Sequence, residues 1–249
     1  MLDAAARLFA RRGVEATSMA DIGEEAGYSR GLANHHFRSR AELVDRLARR
    51  AQSDFVACLG EIGGRELWDL AAMLGIGGDV GAASERGEGG AVDEDLLLRL
   101  ARPAGSRLPQ DLGEAGVELR ALAVMSDAYL AVVGSGAARA FFVMWGAAFP
   151  EETALRSVFM VDDARFRRGV EKVVRLGQRN LTIKPEIDPA GVAVAVVGML
   201  RGIAAQFTVD PEGVDLAVAR RVCARFLHDT LMPPAPVPAE QQDNQNDRT

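Results

Sequence analysis

Side chains that can bind phosphates and read base edges are concentrated in one short segment early in the chain. Ser29 stands where a helix can begin, and a helix start directs free backbone N–H groups and the positive end of its dipole outward. Arg30 adds a mobile positive charge at this point, and Gly31 has no side chain to hold a partner away. Asn34 and His35, one turn further along the same face, carry donors and acceptors that suit base edges. The segment therefore favours nucleic-acid binding.

Some of the basic residues nearby fit more than one interpretation. Arg40 stands beside Ser39 and Glu42, whose spacing predicts a capping box at a helix start, and from there it can clamp a second phosphate. His36 is interpreted either as a phosphate contact or as a buried histidine that satisfies a backbone carbonyl. Arg30 and Arg40 also fit ordinary solvated surface charges. The sequence leaves these alternatives open.

The helices that must position these residues are short and clearly bounded. Apolar residues recur at helical spacing over residues 1–12, and a glycine follows as a C-cap. Thr17 or Ser18 can cap a second helix that ends at Gly27, and a third helix is predicted over 30–36, ahead of a long fourth one. Two short helices joined by a glycine-containing turn and braced on either side are typical of a helix-turn-helix.

Charge is distributed unevenly along the 249 residues of the chain. Residues 1–50 hold nine Arg against seven acidic residues, whereas the whole chain has a net charge of -6. A DNA-binding protein needs only a local basic face, because phosphate contacts release counterions wherever Arg or Lys meets the backbone. A basic N-terminal segment, residues 1–50, followed by an acidic remainder is compatible with DNA binding, although a chance fluctuation of surface charge would give the same numbers.

The sequence gives no indication of export, a membrane span or a metal centre. The two cysteines, Cys58 and Cys223, are too few for a secreted disulfide framework and are not spaced as a zinc site. No stretch reaches roughly 18 uninterrupted apolar residues, and the N-terminus lacks the layout of a signal peptide. We therefore predict a cytoplasmic protein with no metal, no cofactor and no membrane partner.

Beyond the fourth helix the character of the sequence changes. Gly-Gly pairs punctuate residues 60–113, which we expect to form an irregular insert with two short helices. Asp188 and Pro189 predict a helix start, and residues 233–249, rich in Pro, Gln and Asn, are predicted to be disordered. No segment shows sustained strand alternation bounded by hairpin signals. The remaining predicted helices cover 117–133, 139–149, 151–179, 189–208 and 214–231.

The helix-turn-helix segment resembles that of a known family. Residues 16–31 read ATSMADIGEEAGYSRG, residues 36–37 read HF and residues 39–43 read SRAEL. The order and spacing of these positions resemble the N-terminal signature of the TetR family of repressors. A weaker similarity to the C-terminal half of the family extends over 139–231, in the helix pattern, the Gly177-Gln178 turn and the Asp188-Pro189 helix start, whereas residues 60–113 resemble no part of the family.

This resemblance implies an all-α homodimer that binds a double-stranded DNA operator. A helix-turn-helix domain would cover residues 1–50, and a larger helical domain over 51–232 would bind the effector and form the dimer. Residues 32–34 replace the Thr-Leu-Tyr that is usual in the family, so the operator sequence does not transfer. The implied DNA contacts are Thr17 or Ser18, Tyr28, Ser29, Arg30, Gly31, Asn34, His35, His36 and Arg40.

Aromatic and methionine residues are concentrated in the C-terminal part of the chain. At helical spacing such residues are core by default, but adaptable methionines and flat aromatic walls also suit a cavity for an apolar ligand. In the TetR family this half binds a small inducer, so the resemblance implies a small apolar effector that releases the operator. The predicted lining residues are Met125, Tyr129, Phe142, Trp145, Phe159, Phe166, Met199 and Phe207.

The last two predicted helices carry wide apolar faces. A helix that is apolar over much of its circumference should be buried on more than one side. Pairing both helices with their copies in a second chain gives the four-helix interface that the resemblance implies, whereas the alternative is that both faces close the chain's own core. The predicted interface residues are Val197, Leu200, Ala204, Val222 and Phe226.

Two other functional classes share a helical bundle, namely an enzyme and an interaction module. The sequence contains no GxSxG, HExxH or Walker pattern. A Gly-Ser-Gly run at 134–136 follows a predicted helix and not a strand, so we interpret it as an interhelical turn. We therefore predict a ligand-responsive repressor and not an enzyme.

Overall fold

The computed structural model describes residues 1–29, 32–76, 92–100, 115–150 and 154–234. Within these ranges every regular element is a helix, which confirms the predicted all-α class. Parts of the predicted insert and nearly all of the predicted tail lie outside them. The helices are α1 (Leu2–Arg12), α2 (Met19–Glu25), α3 (Leu32–His36), α4 (Arg40–Met73), α5 (Glu94–Leu100), α6 (Val117–Val132), α7 (Gly136–Gly146), α8 (Ala154–Arg179), α9 (Pro189–Val209) and α10 (Leu216–Leu231).

Local interactions set the ends of the first two helices. Gly13 ends α1 with a positive φ of 84°, a conformation that strains residues with a side chain. Ser18 begins α2: its hydroxyl accepts from the N–H of Asp21 at 3.1 Å, and the Asp21 carboxylate accepts from the Ser18 N–H at 2.9 Å. Of the two predicted caps, Ser18 and not Thr17 therefore caps the helix.

Helix α4 begins as predicted, but its cap differs from the predicted capping box. The Ser39 hydroxyl accepts from the Glu42 N–H at 3.1 Å, whereas the Glu42 carboxylate accepts from the N–H of Arg38, at 2.8 Å, rather than from that of Ser39. The helix continues past residue 50 and breaks at Gly64, whose φ is 70°. The expected domain boundary thus falls inside a helix, and the division into domains stays a prediction.

The segment expected to form an irregular insert is partly helical. Residues 60–73 belong to α4, and α5 packs against α4 and α6. Residues 77–91 and 101–114 lie outside the described ranges. Where it is described, this segment therefore extends the helical body and does not interrupt it.

Helix α4 and helices α6 to α10 form the larger body around an apolar core. Helix α4 packs against α6, α7 and α8, whereas α9 packs on α8 and α10 packs on α6. Phe55, Tyr129 and Phe166, from α4, α6 and α8, are among the largest fully buried side chains. Helix α1 contacts this body through α7, so the helix-turn-helix touches a helix of the core directly.

Helix α9 is apolar around much of its circumference. The Asp188 carboxylate accepts from the N–H of Gly191 at 2.8 Å, and Pro189 occupies the first turn, which confirms the predicted start. Among the described single helices, only α9 is long and apolar enough to match a membrane span, and 33% of its apolar stretch is buried. One side of α9 packs on α8, and the opposite side lies at the surface of the chain.

Candidate functional site

Much of the predicted DNA-contact surface on α2, α3 and the turn between them is open to solvent. Tyr28 is 51% exposed, and Ser29, His35 and His36 are also exposed. The exposure of His36 excludes the alternative of a buried histidine bound to a backbone carbonyl. Four of the predicted contact residues are therefore accessible to a nucleic acid.

Four other predicted contacts lie wholly or partly outside the described residues or take part in a helix cap. Arg30 and Gly31 fall between the described ranges, and only the backbone of Asn34 is described, as part of α3. Ser18 is exposed, but its hydroxyl already takes part in the cap of α2. Contacts between these residues and DNA stay predictions.

Hydrogen bonds from Thr17 and Arg40 brace the turn between α1 and α2. Thr17 is 1% exposed, and its hydroxyl donates to the backbone carbonyl of Gly13 at 2.9 Å. This position corrects the predicted DNA contact of Thr17, since its side chain faces the interior. The guanidinium of Arg40 donates to the backbone carbonyls of Val14 and Thr17 and so ties the start of α4 to the turn. The sequence did not indicate this role, and a phosphate contact by Arg40 stays a prediction.

Replacing Arg40 with Lys should lower the free energy of unfolding by about 1–2 kcal/mol, although the positive charge is kept. A lysine ammonium cannot hold two carbonyls in the fork geometry of a guanidinium, and a buried carbonyl without a donor is costly. Urea unfolding of the free protein measures the effect. Arg49→Lys, at the exposed ion pair with Asp45, is the matched control and should change little. Equal stability of the two variants would contradict the bracing role.

Aromatic rings from four helices meet at the centre of the larger body. Phe55 contacts Tyr129 and Phe141, with ring centroids 5.0 and 5.2 Å apart. Tyr129 also stacks on Phe166 at 6.0 Å, and Phe141 contacts Phe159 at 5.5 Å. Because aromatic pairs at such distances add to the stabilisation from burial, the cluster holds these four helices together.

A buried arginine enters this aromatic cluster from α9. Arg201 is 6% exposed, and its Nη2 donates to the carboxylate of Asp163 at 2.7 Å. The guanidinium carbon lies 4.5 Å from the ring centre of Phe141 and 5.5 Å from that of Trp145. The indole N–H of Trp145 donates to the same carboxylate at 3.2 Å. This ion pair was not predicted, although Arg201 is the one charged residue in the apolar sequence of α9.

A small cavity lies beside the ion pair. Its free volume is about 10 Å³, roughly the room that one water molecule needs. The Tyr129 hydroxyl and the Nε and Nη1 atoms of Arg201 make no well-aligned hydrogen bond within the described part of the chain, although Arg201 lies near enough to the phenol oxygen for a weak one. Burial raises the pKa of Tyr129 to about 12, against smaller opposing effects of the charge of Arg201 and of this hydrogen bond, so the hydroxyl keeps its proton at neutral pH. The cavity is lined by Phe55, Gly75, Ile76, Tyr129, Phe141, Asp162, Phe166 and Arg201.

The predicted effector residues only partly coincide with the cavity wall. Tyr129 and Phe166 line it, whereas the polar residues of the wall were not predicted. Ligand contacts by the other predicted residues stay predictions. Of these, Met125, Phe142 and Phe159 are buried in the core, and Trp145, Met199 and Phe207 are partly buried.

Helix α7 connects the cavity with the helix-turn-helix. Phe141 lines the cavity, and its ring contacts that of Phe142 at 5.2 Å, which in turn contacts Trp145 at 6.2 Å. The same helix packs against α1. Helix α7 therefore contacts both the wall of the cavity and the first helix of the helix-turn-helix.

The predicted dimer residues lie in two different environments. Val197, Leu200 and Ala204 are 4%, 1% and 0% exposed within a single chain. They belong to the chain's own core, so their assignment to a dimer interface is wrong. Val222 and Phe226 of α10, by contrast, are 43% and 61% exposed and remain available to a partner.

Small and apolar residues form the outward face of α9. Val194 is 59% exposed, and Ala195 and Gly198 are exposed beside it. A Cβ atom placed at Gly198 or Gly202 would meet no other atom of the described chain within 4 Å. This face is therefore flat enough for another helix to approach closely.

Both ends of the chain match models of known regulator families. The model of bacterial regulatory proteins of the tetR family matches residues 1–47, and that of the C-terminal part of BetI-type transcriptional repressors matches residues 120–232. The transcriptional repressor KstR2 of Rhodococcus jostii is 42% identical over 62 residues, which are 25% of this chain and 30% of that protein. The chain thus aligns with less than a third of the length of this relative.

Solved structures resemble the whole fold at low sequence identity. The complex of SmeT, a repressor of Stenotrophomonas maltophilia, with triclosan has a TM-score of 0.60 and 17% identity, and covers 95% of this chain and 96% of that one. FadR from Bacillus subtilis in complex with stearoyl-CoA has a TM-score of 0.58 and 12% identity, with coverages of 91% and 95%. At these identities the likeness concerns the fold alone.

Proposed function

This chain belongs to the TetR family of bacterial regulatory proteins, and from that premise we propose that it is a cytoplasmic transcriptional repressor that releases its operator when a small effector binds. The observation that carries the proposal is the position of α7. This helix carries a wall residue of the internal cavity, Phe141, and also packs against the first helix of the helix-turn-helix. The proposed effector site and the proposed DNA-binding surface would therefore be one helix apart.

The DNA surface supplies groups for both phosphates and bases. In a helix-turn-helix the second short helix enters the major groove, which here is α3. The exposed His35 and His36, with Asn34 next to them in the sequence, would face base edges and nearby phosphates. Arg30 would add a charged phosphate contact, which fixes the position of the helix but carries no sequence information.

The effector would act by separating helices around the cavity. A free volume of about 10 Å³ is far smaller than an organic molecule, so binding requires the rings of the wall to move apart. Movement of α7 would shift α1 and change the spacing of the two DNA-binding heads. The effector lowers operator affinity only to the extent that it prefers this second conformation.

We place the dimer interface on the outward faces of α9 and α10. Small residues at Ala195 and Gly198 allow a close helix contact, and Val222 and Phe226 supply exposed apolar area. The same faces on two copies would form a self-complementary four-helix interface. Such a dimer holds two heads at the fixed spacing that two operator half-sites require.

The effector is proposed to be a small and mainly apolar organic molecule. The cavity wall is formed largely by the rings of Phe55, Phe141 and Phe166, which suit flat apolar groups. One structural neighbour, SmeT, is named with such a molecule bound, triclosan. This name supports the class of effector.

A gel shift with the DNA that flanks the protein's own coding region tests the function. We expect a shifted band with this DNA at concentrations that leave unrelated DNA of equal length unshifted. The alternatives, an enzyme or an interaction module with the same helical bundle, give equal binding to both DNAs or none. That outcome would overturn the repressor assignment.

Arg30→Ala should weaken binding to every DNA sequence and make the salt dependence less steep. One lost phosphate contact changes the slope of log K against log salt by about one. Fluorescence anisotropy of labelled operator at several salt concentrations measures this slope. The exposed Arg168 on α8 provides the matched control, Arg168→Ala, for which the slope should stay the same. An unchanged slope for Arg30→Ala would rule out its phosphate contact.

A further inference from the structure

Two residues that line the internal cavity, Tyr129 and Arg201, carry buried donor groups. Within the described part of the chain, the hydroxyl of Tyr129 and the Nε–H and Nη1–H groups of Arg201 have no hydrogen-bond partner beyond a weak contact with one another, and because arginine only donates, the O–H of Tyr129 still lacks an acceptor. Both residues line the cavity and are buried, with exposures of 0% and 6%. Buried donors left unpaired cost free energy, and a molecule that brings an acceptor recovers it. The polar part of the cavity is therefore suited to an oxygen atom.

The positive charge of Arg201 is already paired with a carboxylate of the protein. The carboxylate of Asp163 accepts from Nη2 at 2.7 Å, and the side chain of Asp162 contributes to the cavity wall. A ligand carboxylate would bring a further acidic group next to these two, in a buried space where like charges repel strongly. A neutral acceptor satisfies the donors without adding charge.

We propose that the effector is a neutral molecule with a carbonyl-type oxygen on an aromatic body. The oxygen accepts from the Tyr129 hydroxyl and from N–H groups of Arg201 that Asp163 does not bind, and the body packs among the rings of Phe55, Phe141 and Phe166. This inference rests on the proposed function and deepens it, because it assigns the chemistry of the effector. Tyr129 and Arg201 are then the residues that determine specificity.

Three probes of matched size and shape separate the possible chemistries. Acetophenone carries a neutral carbonyl, benzoate carries a carboxylate, and isopropylbenzene carries no polar group. We expect titration calorimetry of the wild-type protein to show acetophenone binding about tenfold more tightly than either of the others, as one to two recovered hydrogen bonds would give. Equal affinity for isopropylbenzene, a preference for benzoate, or failure of all three to bind would each overturn the proposal.

Tyr129→Phe tests the hydroxyl without changing the shape of the ring. This variant should fold about as stably as the wild type, since it removes a buried hydroxyl that has no acceptor and makes only a weak contact with Arg201, and should reduce the preference for acetophenone over isopropylbenzene severalfold. Ser126→Ala is the matched control. It removes a buried hydroxyl from the same helix, but that hydroxyl donates to the carbonyl of Leu122 at 2.8 Å and does not line the cavity. An equal loss of preference in both variants would contradict the role of Tyr129.

The effector chemistry and the repressor function can be refuted independently of each other, because the probes are titrated in the absence of DNA. If the operator is bound but the probes show no preference for the carbonyl, the repressor function stands and the effector chemistry is wrong. If acetophenone is preferred but the flanking DNA is not bound specifically, the ligand site stands and the repressor function is wrong.

Discussion

Ala195→Glu should convert the dimer into monomers and reduce operator affinity by more than about a hundredfold. Ala195 lies on the exposed face of α9, so the glutamate does not disturb the core of the single chain. In a symmetric interface each substitution occurs twice, and each carboxylate removed from water without a partner costs on the order of several kcal/mol. Light scattering gives the mass in solution, and anisotropy with labelled operator gives the affinity.

Ala57→Glu is the matched control for this experiment. Ala57 is an exposed alanine in the helical part of α4, so the change in charge and helix propensity is the same. The control should remain a dimer with full operator affinity. A dimeric Ala195→Glu protein with unchanged affinity, or a folded wild-type monomer that binds operator fully, would place the interface elsewhere. Substitutions at Val197 or Ala204 cannot make this distinction, because both residues lie in the core of one chain.

Asp163→Ala should lower the free energy of unfolding by about 3–5 kcal/mol, the usual cost of removing one partner of a buried ion pair. The side chains of Arg201 and Asp163 are 8% and 20% exposed, so the arginine left behind would keep its charge among aromatic rings with its main counter-ion removed. The loss also deprives the indole N–H of Trp145 of its acceptor. Urea unfolding followed by circular dichroism measures the difference.

A double variant keeps this prediction testable even if the single variant folds poorly. Asp163→Asn combined with Arg201→Met removes both charges, and replacing a buried ion pair by neutral groups is often close to neutral for stability. We expect it to recover most of the lost free energy. Asp69→Ala breaks the exposed pair with Arg65, in which the side chains are 39% and 84% exposed, and should cost less than about 1 kcal/mol. If Asp163→Ala were as stable as Asp69→Ala, the buried ion pair would contribute little to the free energy of unfolding.

The sequence alone determined the features that depend on a few neighbouring residues. The hydroxyl of Ser39 and the carboxylate of Asp188 cap their helices by accepting from backbone N–H groups three residues away, and Gly13 ends α1 through its own φ. These interactions form within one helical turn, so their residue types and spacing are visible in the sequence. For the same reason the helix-turn-helix could be predicted from a single segment.

Tertiary structure alone decided which way the side chains of an apolar helix point. Apolar residues lie on every side of α9. Because the free-energy gain from burying them has no preferred direction, the pattern cannot show which residues face the chain's own core and which face a second chain. Packing on α8 places Val197 and Leu200 inside and leaves Ala195 and Gly198 outside, the reverse of the predicted interface.

Contacts between residues that are far apart in the chain likewise could not be predicted from the sequence. Arg40 reaches the carbonyls of Val14 and Thr17, and Arg201 meets Asp163 across 38 positions of the chain. The types of these residues suggest solvated charges, because long polar side chains are exposed by default. Only the folded chain brings their partners within hydrogen-bond distance, and it thereby turns one arginine into a brace for the DNA-binding head and the other into the polar wall of the cavity.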